Sequence, residues 1–275
     1  MMDRGMGRVA AAVVAACVVG LMSGCALVAP PARSSATPRA TANASEPIAQ
    51  QIPNLLIPGE TIGSGRLSAI DHEPIGDPVA EHPVTGVVRI VVRPDRGIEV
   101  RIRPDDPARA SLAGIDLMLT GKRYDGLPEN IQDEAYFPVA SGAQSVDPDG
   151  ELVLPVLLDQ ASLGDPSFLH SIEESPDGDG RVMAAASITW TLPSAYPGLK
   201  PVDHGVVSYA HGRTVVESGT LAYYIPNPYD TLYQVSRRFG LTEAQLVWLN
   251  PELLMDSPDP ELTSGIGVNL DPARR

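Results

Sequence analysis

Cysteine is almost absent from this 275-residue chain; Cys17 and Cys25 are the two present. Cys17 lies in the leading apolar segment. If that segment is removed, Cys25 is left alone and no intramolecular disulfide can form. Basic residues are outnumbered, 20 Lys and Arg against 34 Asp and Glu, for a formal charge of −14. The attraction that drives nucleic-acid binding is therefore missing, and nucleic acid is excluded as a partner. The same charge opposes adsorption to anionic lipid head groups and favours solubility. Long apolar runs are lacking too. Val9 to Met22 is apolar, but a spanning helix needs about 20 such residues. Aromatics are few, while proline is frequent at 27. The length suits one or two domains after processing.

Motifs of catalysis are also missing. There is no Gly-x-Ser-x-Gly elbow, no His-Glu-x-x-His helix and no phosphate loop. Thiol chemistry would have to use Cys25. Asp71-His72-Glu73 sits beside Pro74 and reads as a solvated loop. His204 and His211 flank a strand-like run and could approach each other, but solitary histidines are weak metal signals. Asp147-Pro148-Asp149-Gly150 and Asp177-Gly178-Asp179-Gly180 lack the ligand spacing of a calcium loop. Turn chemistry accounts for both. The expectation is a non-enzymatic chain without metal or cofactor.

What is present begins with a secretory pattern. Arg4 and Arg8 form a basic start, Val9 to Met22 the apolar segment, and Ser23-Gly24 the small residues before Cys25. Leu21-Met22-Ser23-Gly24-Cys25 resembles a bacterial lipobox, with Met22 where Leu is usual. The resemblance implies a signal peptide over 1–24 and lipidation of Cys25. That would anchor the chain at the outer, extracytoplasmic face of a bacterial cell membrane, since each buried methylene adds about 0.8 kcal/mol. Residues 25–60, rich in Ala, Pro, Ser and Thr, read as a disordered tether.

Residues 61–217 read as mainly β, an Ig-like or other β-sandwich. Val84–Arg93 is strand-like, and Ile98-Glu99-Val100-Arg101-Ile102-Arg103 alternates apolar with charged. Pro94-Asp95-Arg96-Gly97 between them predicts a hairpin, Pro fixing φ and Gly permitting positive φ. Further strands are expected at Gly114–Thr120, Glu151–Asp159, Val182–Leu192, Gly205–Ala210 and Thr214–Glu217, with His211-Gly212-Arg213 as a hairpin turn. Gly121–Gly150 and Ala161–Gly180 read as longer connections. Trp190 is a candidate core anchor.

Residues 218–275 carry a different pattern. Thr231 and Gln234, then Thr242 and Gln245, are spaced as capping boxes. Leu232, Val235 and Phe239 fall on one helical face. Arg237 and Arg238 suit a helix C-terminus, and Gly240 suits the position after it. Leu241 and Leu246 are spaced as a hydrophobic staple, and Asn250-Pro251 stops the second helix. Asp230-Thr231-Leu232, Phe239-Gly240 and Leu249-Asn250-Pro251, in this order, resemble a LysM module. Here Tyr229 stands where the family has Gly, and Ile266 where it has Gln.

The resemblance implies a βααβ fold that binds N-acetylglucosamine-containing glycan such as peptidoglycan. The groove would lie between two loops, Pro228, Tyr229, Asp230, Thr231 and Leu232 on one side and Asn250, Pro251, Glu252, Leu253 and Leu254 on the other. The expected function is a non-catalytic envelope lipoprotein reaching into the cell wall. The alternative is an envelope adaptor, with the β domain gripping a protein partner and the module reduced to a docking surface.

Overall fold

The computed structural model describes residues 46–70, 83–121, 123, 136–139, 146–156, 164–177, 181–254 and 259–275. Residues 1–24, expected as a signal peptide, and Cys25 and Asp71-His72-Glu73 lie outside the described residues. Residues 45–275 form one compact unit. Among the described residues no helix is long and apolar enough to cross a membrane.

The chain is mainly β. Nine strands build the larger sheet: β1 (Thr61–Ala69), β2 (Gly86–Val92), β3 (Ile98–Pro104), β4 (Ile115–Thr120), β5 (Tyr136–Val139), β6 (Leu152–Pro155), β7 (Ser171–Pro176), β8 (Ala184–Ser187) and β9 (Thr189–Trp190). Antiparallel pairing runs β5-β4-β7-β8-β1-β2-β3-β6, with β9 also on β1. A single bridge between Val139 and Val156 brings the two ends of this path together. The inward row, including Leu67, Val88, Ile90, Val100, Ile102, Leu117, Leu119, Leu152 and Leu154, forms one aliphatic core.

The β2–β3 hairpin forms as its alternation demands, with Ile98, Val100 and Ile102 buried. Its turn differs in one respect: the positive φ falls at Arg96 rather than Gly97. The Asp95 carboxylate accepts the Gly97 amide at 3.0 Å and so fixes the loop from within. On the outer face Arg89 and Arg101 lie directly opposite each other. Like charges so placed repel. Buried Glu151 answers them, accepting from Arg89 at 2.6 Å with Arg103 3.5 Å away.

Two strands arise where the sequence reads otherwise. β7 lies in the expected connection Ala161–Gly180, and β5 in Gly121–Gly150. β1 lies at the start of the expected domain and carries two glycines that work by close approach. At Gly63 the Trp190 ring is about 3.0 Å from where a Cβ would sit, and at Gly65 the Ser187 carbonyl is 2.6 Å from it. Trp190 is half-buried against the core and donates its indole N–H to the Leu169 carbonyl at 2.6 Å.

The C-terminal part contains β10 (Arg213–Glu217), β11 (Thr220–Ile225), α2 (Leu232–Arg238), α3 (Glu243–Leu249) and β12 (Val268–Asn269). The three strands pair in the order β10-β11-β12. Ser218 and Gly219 turn the β10–β11 hairpin, both with positive φ, as a two-residue hairpin turn of this kind requires. The hairpin thus spans the expected boundary at 217/218. Gly205–Ala210 is not a strand, apart from a Val207–Ala210 bridge. His211-Gly212-Arg213 is accordingly not a hairpin turn.

Thr242 and Gln245 complete both halves of a capping box, at 3.1 and 2.9 Å. At α2 only the Thr231 half forms, the hydroxyl accepting the Gln234 amide at 3.3 Å. The Thr231 amide donates instead to the Tyr209 carbonyl at 2.9 Å.

Residues 46–60, expected as tether, are partly folded onto this region. They include a short helix α1 (Ile48–Gln51), and Ile48, Ala49 and Ile52 pack against the cluster containing Trp248 and Leu249. Opposite them the Trp248 indole donates to Asp165 at 2.7 Å, and the Arg275 guanidinium stacks 4.4 Å over the Trp248 ring. Arg275 also donates to the Trp248 and Asp165 carbonyls. The β sheet and the helices therefore share one packed junction.

Candidate functional site

The organising group is Asp230. Its carboxylate is buried and accepts four hydrogen bonds: the His211 amide at 2.8 Å, the Gly212 amide at 2.9 Å, the Asn227 amide at 2.8 Å and the Tyr224 hydroxyl at 2.6 Å. Burial opposes its ionisation, but the Tyr224 hydroxyl and the three amides outweigh it and hold the carboxyl below its ordinary value. Burial, with the nearby carboxylate second, pushes the Tyr224 phenol up. A Cβ on Gly212 would fall 2.6 Å from the Tyr224 ring, so only glycine admits this arrangement.

Arg238 locks the second layer. Its guanidinium is buried, donates twice to Asp203 at 2.8 and 2.9 Å, and donates to the Ala210 and Gly212 carbonyls at 2.9 Å each. It stacks over Tyr224 at 5.3 Å and Phe239 at 5.4 Å. Hydrogen bonding to Arg238 draws the Asp203 carboxyl below its ordinary value. Asp230 and Arg238 together tie residues 203–212 to the loop before α2.

Between these segments lies an open groove of about 340 Å³, lined by Ser208, Tyr209, His211, Pro228, Tyr229 and Asp230. Asn227 to Asp230 is a turn closed by an Asp230 amide bond to the Asn227 carbonyl at 3.2 Å. Pro228 and Tyr229 are its central residues. Tyr229 has φ +73°, the sign that the third position of a type II turn demands and that Gly ordinarily supplies. Tyr209, on the facing wall, has φ +60°. Such conformations cost about 1–3 kcal/mol each for a non-glycine residue. Both side chains nevertheless project into solvent, Tyr229 at 87% and Tyr209 at 58% exposure.

The expected residues divide. Pro228, Tyr229 and Asp230 line the groove, with Asp230 as its frame. Thr231 caps α2, and Leu232 is buried beneath it. Asn250, Pro251, Glu252, Leu253 and Leu254 are not among the residues lining this groove. Asn250 is 1% exposed. Its side chain donates to the Leu246 and Asn269 carbonyls at 2.8 and 3.0 Å and accepts the Asn269 amide at 2.6 Å. It clamps α3 to β12 with both amide donors engaged, and its burial keeps it from a sugar. Pro251 to Leu254 form a single turn of 3-10 helix with Leu254 buried.

Asn250→Ala should therefore act on stability. The loss of three buried bonds is expected to cost about 2 kcal/mol, read as a lower urea midpoint at unchanged slope, with ligand affinity at the groove unaltered.

The facing wall, Ser208, Tyr209 and His211, was not legible in the sequence. Its residues lie about twenty positions before the turn they meet and carry no periodic signal. His204, paired with His211 in the sequence reading, packs instead beside Gly240. Asp147 accepts the Asp149 and Glu151 amides, as a turn residue does. Among the described residues no group of three His, Cys, Asp or Glu side chains could hold a metal ion.

No protein-family model, no curated protein and no solved structure matches this chain. The functional reading rests on the groove itself.

Proposed function

We propose that this protein is a non-catalytic lipoprotein of a bacterial cell envelope that binds N-acetylglucosamine-containing glycan, such as peptidoglycan, in the groove between Tyr209 and Tyr229. Cys25 would carry the lipid, and the β sheet would space the groove from the membrane. The observation that carries the proposal is Tyr229: a tyrosine occupies a turn position suited to glycine, and its ring points outward. Strain of this kind persists where the side chain has a use. Paired tyrosines supply apolar faces with polar tips, which suits the faces and hydroxyls of a sugar ring. The ordered Asp-Thr-Leu, Phe-Gly and Leu-Asn-Pro landmarks support the LysM-like reading of the same region.

Tyr229→Gly separates function from fold. Glycine relieves the positive φ, so thermal stability should hold or rise. Affinity for a neutral N-acetylglucosamine oligomer, read by calorimetry, should fall about tenfold, as expected for losing one stacking face. Unchanged affinity would overturn the proposal.

A second reading makes the chain an envelope adaptor. It draws on Asn250, whose buried side chain, committed to the α3–β12 join, removes one of the two loops that a LysM groove would use. Against it, exposed Tyr209 and Tyr229 line the groove and exposed Val206 and Val207 lead into it along the chain, whereas, among the described residues, Val87 is the one exposed large apolar residue in the strands of the larger sheet. Capture of a protein partner by a Tyr229→Gly chain that has lost sugar binding would favour this reading.

A further inference from the structure

We propose that the free edge of β10 is a docking edge for a second copy of this chain. The two β10 strands pair antiparallel about Val215 and join two three-stranded sheets into one. The inference stands apart from the glycan reading.

A strand edge presents unpaired amides and carbonyls, and proteins ordinarily shield it. The larger sheet does so by closure, through the Val139–Val156 bridge between the ends of its path. β12 has two residues, and Pro272 follows three positions on. β10 has neither defence. It pairs with β11 alone. Among the described residues no backbone hydrogen bond reaches it from outside its own sheet. Its residues, Arg213-Thr214-Val215-Val216-Glu217, contain no proline. The register shift in this hairpin sets Val215 opposite Tyr223 and Val216 opposite Leu221, so the extra residue, Ala222, belongs to β11. β10 itself keeps an unbroken edge, with Val216 exposed.

Charge argues for the occupant. Turned about Val215, the strand is complementary to itself: Arg213 falls opposite Glu217 of the second copy, and Thr214 opposite Val216. Opposite charges so placed attract, and the two-fold axis repeats the pair. A parallel pairing in the same register would set Arg213 against Arg213 and Glu217 against Glu217. Arg213 is exposed and takes part in no ion pair among the described residues. Glu217 is half-exposed and accepts from Arg274 through Oε2, which leaves Oε1 for the second copy. The charge of −14 on each chain opposes association. At about 0.15 M salt that repulsion is screened beyond about 8 Å, while partly buried contacts are screened much less. An edge of this length buries less than a permanent dimer needs, so the association is weak and transient. His211 and Gly212, held by Asp230, run directly into β10, so the paired chains carry two grooves on one joined sheet.

The test is sedimentation equilibrium of the intact chain at about 0.15 M salt. The wild type should rise toward the mass of a dimer, with a dissociation constant of about 0.1 mM. Arg213→Glu alone, or Glu217→Arg alone, sets like charges opposite each other at both ends of the pairing. Each should weaken association about tenfold or more. An equimolar mixture of the two variants again faces opposite charges and should associate nearly as the wild type does. Restoration in the mixture also shows that both variants are folded, since a disordered strand edge has no register to restore. A wild type that stays monomeric up to about 1 mM, an association indifferent to either substitution, or a mixture that associates no better than its components would overturn the inference.

Discussion

Asp230→Ala should cost about 4 kcal/mol of stability, since it strands three backbone amides and one phenol that share its carboxylate. The figure is less than four full bonds because the donors relax together. The groove should go with it. His211 and Gly212 are held to the turn by this one side chain, so Tyr209 loses its register against Tyr229. Urea denaturation reads the first effect, and sugar affinity in the surviving folded fraction reads the second. Asp230→Asn should be nearly as damaging, because half of an amide presents donors to donors. The pH dependence has a definite sign. The carboxyl is held below its ordinary 3.8 in the folded chain. Its contribution is therefore complete above that value and is lost as pH falls through the lower, folded value.

Glu174 should give the opposite dependence. It lies in β7, opposite Leu117 and Ala184, and is fully buried. One carboxylate oxygen accepts the Val84 amide at 3.0 Å and the other has no hydrogen-bond partner among the described residues. Burial pushes this acid up to about 7 from an ordinary 4.5, only partly offset by the Val84 bond. The unfolded chain thus releases the proton at lower pH than the folded one. Stability from this group is complete below about 4.5, falls as pH rises to about 7, and is level above that. Glu174→Gln removes the titration while keeping an acceptor for Val84. The stability difference between variant and wild type should shift by about 3 kcal/mol in the variant's favour between about pH 4 and about pH 8. Parallel stability curves would show that Glu174 is solvated or paired.

The elements legible in the sequence were those whose signals are local. The β2–β3 hairpin declared itself because one face is aliphatic and the other carries Arg101 and Arg103. The helices declared themselves through Thr231, Thr242 and the Asn250-Pro251 stop. β7 was hidden because Ser171-Ile172-Glu173-Glu174-Ser175-Pro176 is polar and yet buried throughout. The Ser171 hydroxyl is met from outside by Thr120 at 2.9 Å and donates within the strand to Glu173 at 3.0 Å. β1 was not among the expected strands, because Gly63 and Gly65 blunt its apolar pattern; both admit the close approach of Trp190 and Ser187.

The candidate site was half legible. Its turn, Pro228-Tyr229-Asp230, follows from the family resemblance. Its other wall depends on Asp230 reaching back to Gly212, a contact with no local periodicity. Arg238 was read as a cation placed for the helix dipole, yet it is a buried tie between Asp203, Ala210 and Gly212. Asn250 was placed in the groove for the same reason that it was recognised, as part of a landmark. Its side chain serves the α3–β12 join instead.

The most direct measurement of the central claim is co-sedimentation with purified peptidoglycan. Wild-type chain should pellet with the wall material at neutral pH and low salt. A Tyr209→Ala/Tyr229→Gly chain, shown by circular dichroism to be folded, should remain in the supernatant. Equal pelleting of the two, or no pelleting of the wild type, would contradict glycan binding in this groove.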